Sequence, residues 1–233
     1  MRSVATIVAM CATSHIASAV DETPIGELWV GTMDAGTRLF RFRIEPAIDA
    51  DGSAIRQLVS LDEGNQVFRL HDFHLDDARL AFALRSTKAN YTGEISESGK
   101  ISTGKWEQRG KALDLVFHKV ASVPVDLPTE IWSGTLKTLL QKLTLRVRVY
   151  RRENGTDDIY FDSVSQKTSG FKATRTIEND QWTIDVASLG GTFQGTINND
   201  KSAVIGKWTQ AGVGFDLTLT PQEMLTEEIA RIP

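Results

Sequence analysis

The chain has 233 residues, a formal net charge of −4, 41% hydrophobic and 24% charged residues. These proportions suit a folded globular chain and exclude one too polar to bury a core, and the mild negative charge offers no general attraction to nucleic acid or an anionic membrane surface. Cys11 is the only cysteine, so no disulfide within the chain can staple the fold.

Met1 to Ala19 reads as a secretory leader. Arg2 precedes an apolar run from Val4 to Ala12, and Ala17-Ser18-Ala19 supplies the small-x-small pattern of a cleavage site. The run is shorter than the ~20 apolar residues of a transmembrane helix. Export to the periplasm or medium, with a mature chain starting at Val20, is the expectation. Removal of this segment takes away Arg2 alone among charged residues, so the charge goes from −4 to −5.

Residues 20–120 alternate apolar and polar side chains between short turn signals. Strands are expected through Trp29, then over Leu39 to Ile44, Ile55 to Ser60, Val67 to Leu75, Leu80 to Leu84, Tyr91 to Ser96, Ile101 to Gln108 and Leu113 to His118. Turns fall at Asp49-Ala50-Asp51-Gly52, Asp62-Glu63-Gly64-Asn65, Glu97-Ser98-Gly99-Lys100 and Gly110. Residues 121–129 hold Pro124 and Pro128, which cannot donate a ladder hydrogen bond, and read as a linker.

Residues 130–220 then repeat the first unit. Glu27-Leu28-Trp29-Val30-Gly31-Thr32 returns 103 residues later as Glu130-Ile131-Trp132-Ser133-Gly134-Thr135, and Gly104-Lys105-Trp106 returns 102 residues later as Gly206-Lys207-Trp208. Between these anchors Phe42 falls on Leu145, Ser60 on Ser163 and Tyr91 on Phe193. Each copy is therefore one structural unit built twice. About eight antiparallel strands per unit, with short connections, predict an all-β protein of two tandem up-and-down, calycin-like small barrels. Closure removes the exposed edges that a pair of stacked sheets would leave. A side-chain-filled interior is expected in each barrel. Residues 221–233, with Met224 to Ile229, read as a tail that is a short terminal helix or the stub of a linker.

The chemistry-bearing residues are few. His71 and His74 lie three apart on a strand and so on opposite faces, His118 stands alone, and no metal or other cofactor is expected. Asp49-Ala50-Asp51-Gly52 lacks the later ligands of a calcium loop. The Ser-x-x-Lys strings at Ser102 and Ser169 begin no helix, and no Gly-x-Ser-x-Gly occurs, so no catalytic residue is assigned. Lys142, Arg146, Arg148 and Arg152 alternate with apolar residues and read as the solvated face of a strand. Duplicated Trp29 and Trp132, copy-specific Trp182, and the paired Gln108 and Gln210 beside Trp106 and Trp208 are candidate ligand or interface residues. For the tryptophans the competing role is architectural core, and for the glutamines it is a side-chain amide bonding a turn backbone. An enzyme would have to draw on Ser60, Ser163, Asp62 or the glutamines.

The words Trp-x-Gly-Thr, Asp162-Ser163-Val164-Ser165-Gln166, Ile205-Gly206-Lys207-Trp208-Thr209-Gln210-x-Gly212 and Phe215-x-Leu217 carry a resemblance. Over Glu27 to Thr220 the chain resembles the β-rich N-terminal accessory domain of secreted bacterial serine hydrolases of the α/β-hydrolase class. That resemblance implies an exported noncatalytic module, since the catalytic domain is absent from this sequence. The tandem β architecture and the missing catalytic set point to a module that binds a small ligand, a glycan or a protein partner, with no nucleic acid and no membrane insertion; a structural envelope protein, or a hydrolase-associated domain with its own activity, is the alternative.

Overall fold

The computed structural model describes residues 27–121, 127–138 and 141–223. The expected leader and terminal helix lie outside the described residues. In the first unit the strands are β1 (Leu28–Asp34), β2 (Leu39–Ile48), β3 (Ala54–Ser60), β4 (Gln66–Arg69), β5 (His71–Leu75), β6 (Arg79–Leu84), β7 (Ala89–Ile95), β8 (Ile101–Gln108) and β9 (Lys111–Val120). The second has β10 (Glu130–Lys137), β11 (Lys142–Arg151), β12 (Asp157–Ser163), β13 (Thr168–Glu178), β14 (Gln181–Val186), β15 (Gly191–Ile197), β16 (Val204–Gln210) and β17 (Val213–Pro221). All pairings between these strands are antiparallel, and the protein is two tandem barrels, as the repeat predicts.

The second barrel is closed, β10 meeting β17 through Trp132 opposite Pro221 and Ser133 opposite Thr220. The first is a nine-stranded sheet in the order β4-β3-β2-β1-β9-β8-β7-β6-β5. Its two ends are consecutive in the chain, joined through the buried Leu70, so the backbone itself spans the gap. The single strand expected over Val67 to Leu75 is thus divided. The irregular register between His71 and His74, with Asp72 at φ 51°, marks the bend. In the second barrel β13 makes the same crossing unbroken, its first half on β12 and its second on β14.

Alternation along the strands sends one set of side chains inward. Trp29, Phe42, Ile44, Leu58, Leu80, Phe82, Tyr91, Trp106, Leu115 and Phe117 form the first core, and Trp132, Leu145, Val147, Phe161, Trp182, Ile184, Phe193, Trp208 and Leu217 the second. Each such side chain contributes roughly 1.5–3 kcal/mol of burial. The Tyr91 hydroxyl, buried in the first core, is satisfied by the Ser102 carbonyl at 3.1 Å and the Ser102 hydroxyl at 2.9 Å.

The outward faces of β2, β11 and β12 are buried against one another, which corrects the reading of the basic stripe. Lys142 is exposed, but Arg148 is only 3% exposed and forks onto Asp162, Nε to Oδ2 at 2.7 Å and Nη2 to Oδ1 at 2.8 Å. Its Nη1 donates to the Tyr150 hydroxyl at 2.9 Å. Leu39 of the first barrel packs with Tyr150 and Tyr160 of the second. Arg41 forks onto Asp62 in the first barrel, and the Ser169 hydroxyl of the second donates to the same carboxylate at 2.6 Å. The stripe alternates as expected for an outward face; the other barrel covers that face at Arg148, while Lys142 is exposed and Arg146 and Arg152 are partly so. Arg38 completes the seam, its guanidinium 4.4 Å from the Phe40 ring and 4.8 Å from that of Phe171, donating to the Ser169 carbonyl at 2.8 Å. Gly170, at φ +82°, tolerates no side chain there, since a Cβ would lie 2.5 Å from the Leu39 carbonyl oxygen.

Candidate functional site at the mouth of the first barrel

Four connections meet at one end of the first barrel: β1 to β2, β3 to β4, β6 to β7, and β8 to β9. They surround a cavity of about 420 Å³. Its apolar wall includes Phe40, Phe42, Leu58, Phe68, Trp106 and Leu113, and its polar lining includes Ser60, Glu63, Thr87, Gln108, Arg109 and Lys111. Below it the interior is filled by the first core, as expected, so the hollow is confined to the mouth.

The repeat explains why. Leu84 pairs with Ala89 in the first barrel as Val186 pairs with Gly191 in the second, so Thr87 occupies the place of Leu189. Leu189 packs on the second core, whereas Thr87 presents a hydroxyl. After the matched Ser60 and Ser163, the second barrel has a short 3-10 turn, Val164–Gln166, and the Ser163 hydroxyl donates to Gln166 Oε1 at 2.6 Å. The first barrel has Glu63 in that region, turned to an ion pair with Arg38 at 3.5 Å. Leu189 and Gln166 occupy the mouth in one copy, and the other copy lacks both.

The tryptophans differ likewise. Trp208 lies against Gly191, where a Cβ would come within 2.1 Å of the ring, and its N–H donates to Gln210 Oε1 at 3.3 Å. Ala89 holds that place in the first barrel, so its methyl bars Trp106 from the same position. Trp106 stacks instead on Phe42 of β2, centroids 5.2 Å apart, while Trp208 stacks on Phe161 of β12 at 4.9 Å. Among the described residues, Trp106 Nε1, Ser60 Oγ and Thr87 Oγ1 are buried without a hydrogen-bond partner, and all three residues line the cavity. Each such group costs about 1–3 kcal/mol unless something supplies the missing partner.

The residues singled out from sequence fall as follows. Trp29 and Trp132 are core; Trp29 Nε1 is also unpartnered but does not line this cavity, and Trp132 Nε1 donates to Glu130 at 3.2 Å. Trp182 is 4% exposed, inside the second barrel, edge-on to Trp132 at 4.9 Å with Arg175 over its face at 4.8 Å. It packs neither between the barrels nor at the mouth. Gln108 Nε2 donates to the Thr87 carbonyl at 3.0 Å, and Gln210 Nε2 to the Leu189 carbonyl at 2.8 Å. Each glutamine ties its β-hairpin turn to the neighbouring turn, and Gln108 also reaches the cavity.

Ser60 and Asp62, two residues apart, serve different places. Ser60 faces the cavity and Asp62 the seam, where burial works to raise its pKa but the Arg41 hydrogen bonds and charge, with the Ser169 hydroxyl, hold it below the ordinary aspartate range. No histidine lines the cavity, and its one carboxylate, Glu63, is engaged by Arg38. Among the residues that line the cavity, none is a free base beside Ser60.

No family model and no curated protein matches this chain. Among solved structures it is similar to a candidate outer membrane protein from Bacteroides fragilis, at 13% identity over 86% of this chain and 97% of that one, with a TM-score of 0.27. It is also similar to a DUF3598-family protein from Nostoc punctiforme, at 9% identity over 85% and 95%, TM-score 0.22, and to the Pseudomonas aeruginosa MucA/MucB complex, at 9% over 88% and 91%, TM-score 0.20. At these scores the likenesses carry no functional argument.

Proposed function

We propose that this chain is an exported, noncatalytic tandem-barrel module that binds a small, mainly apolar ligand in the mouth of its first barrel, the second barrel serving as its rigid support. The observation that carries the reading is an apolar cavity of about 420 Å³ whose lining includes Ser60, Thr87 and Trp106, each with a buried polar atom that has no partner among the described residues. Apolar walls with a few convergent polar groups are the composition of a small-molecule site. Because an indole N–H only donates, the ligand must bring an acceptor oxygen. Export rests on the leader pattern of residues 1–19, and kinship with the hydrolase accessory domain rests on the repeated Trp-x-Gly-Thr and Gly-Lys-Trp words; both are part of this proposal.

The test is calorimetric titration of the chain with decanol, beside the variant Thr87→Leu, which places in the first barrel the side chain that Leu189 places in the second. The expected result is saturable binding by the native chain and at least tenfold loss in the variant, at a melting temperature no lower than the native one. No saturable binding, or equal binding by both, overturns the reading.

A further inference from the structure

The polar edge of the mouth differs from the interior in one respect, charge. Arg109 and Gly110, at φ 51° and 76°, form the two-residue turn between β8 and β9. A second concavity, of about 350 Å³, lies over that turn and is lined by Lys88, Asn90, Glu107, Gln108, Arg109, Gly110, Lys111 and Ala112. Gln108, Arg109 and Lys111 line both hollows, so the apolar mouth continues into a polar groove. Lys88, Arg109 and Lys111 stand there against the single carboxylate Glu107, and none of the three cations has an ion-pair partner among the described residues. Glu63, across the mouth, is already neutralised by Arg38.

The second barrel provides an internal control. Gln108 pairs with Lys111 as Gln210 pairs with Val213, and the turn between them is Ala211-Gly212. Arg109 therefore corresponds to Ala211, Lys111 to Val213, and Lys88 to Gly190. Barrel architecture does not require a cation at any of these positions. All three cations occur in the copy that has the cavity.

We infer that the ligand is a single-chain amphiphile with an anionic head, its chain among Phe40, Phe42, Leu58 and Leu113 and its carboxylate or phosphate over the turn between Arg109 and Lys111. This rests on the proposed binding site and adds the chemical class. The cavity holds about fourteen water-sized groups at ~30 Å³ each, room for a chain of about ten carbons. A carboxylate head corresponds to a free fatty acid and a phosphate head to a lipid headgroup; both are anions that Arg and Lys bind.

The experiment titrates the full chain with decanoate, decyl phosphate, decanol and decyltrimethylammonium, all below their micellar concentrations, at low and high salt. Decanoate or decyl phosphate is expected to bind roughly tenfold tighter than decanol, an advantage that shrinks with salt because the cations are exposed. The tighter of the two anions assigns the source. The double variant Arg109→Gln/Lys111→Gln should bring the anions to parity with decanol, read as the ratio of affinities within that variant. If decanol and decyltrimethylammonium bind as tightly as the anions, or the double variant keeps the anion preference, the inference falls while the binding site stands. If nothing binds, the site falls with it.

Discussion

Ser60 and Ser163 occupy the same place in their barrels and have opposite energetics. Ser163 donates to Gln166 at 2.6 Å, while Ser60, 1% exposed, has no partner among the described residues. Removing a satisfied buried hydroxyl leaves its acceptor bare, whereas removing an unsatisfied one relieves a desolvation cost. Ser163→Ala is therefore expected to destabilise by about 1 kcal/mol and Ser60→Ala to stabilise by a similar amount, measured by urea unfolding. Ser60→Ala should also weaken decanol binding, so that stability and affinity move in opposite directions at one atom. Nothing in the sequence announces this difference. Both serines close apolar strands with the same spacing, and the contrast comes from the connection that follows, where Gln166 turns back onto Ser163 while Glu63 turns to Arg38.

At the scale of the elements, period and turn chemistry were enough to place the strands. Alternation marks an inward set wherever one face is buried, and pairs such as Arg109-Gly110 and Ala211-Gly212 sit in the left-handed region that two-residue hairpin turns demand. The division at Leu70 was hidden, because the chain there stays extended and apolar and only its pairing partner changes, from β3 to β6. Alternation also says which face is outward without saying what lies beyond it, which is why Arg148 read as a solvated cation. A trace of the seam is nonetheless present in the sequence. Tyr150 and Tyr160 stand at outward positions where the first unit has Ala47 and Gln57, and large aromatics added to one copy's outer face mark a surface that is covered.

For the whole molecule, the seam holds two Arg–Asp pairs out of water. Burial works against the Arg148 cation, and the Asp162 carboxylate outweighs it, so its pKa lies above the ordinary arginine value. Arg148→Met, which strands Asp162, is expected to cost about 3–5 kcal/mol, and Arg148→Met/Asp162→Leu to recover most of that; calorimetric melting of the three proteins checks it. Asp62 sets an acid limit. Its folded pKa is depressed below the ordinary value of 3.8, so its contribution is complete above that value, declines as pH falls below it, and is gone beneath the folded pKa. The native chain should lose melting temperature more steeply than Asp62→Asn as pH drops from about 5 to 2.

The connection from β3 to β4 carries Asp62 and Glu63 side by side, one anchored in the seam and the other on the cavity wall. The Ser169 amide also donates to the Asp62 carbonyl at 3.1 Å, so this wall of the mouth is clamped by the neighbouring barrel. On the opposite wall the Thr87 and Arg109 turns close β-ladders of their own and are tied to each other by the Gln108 amide, which donates to the Thr87 carbonyl at 3.0 Å. On the proposed binding, Gln108→Ala, which unties the two turns, is expected to speed release of decanol more than it slows its entry, measured by stopped-flow dissociation.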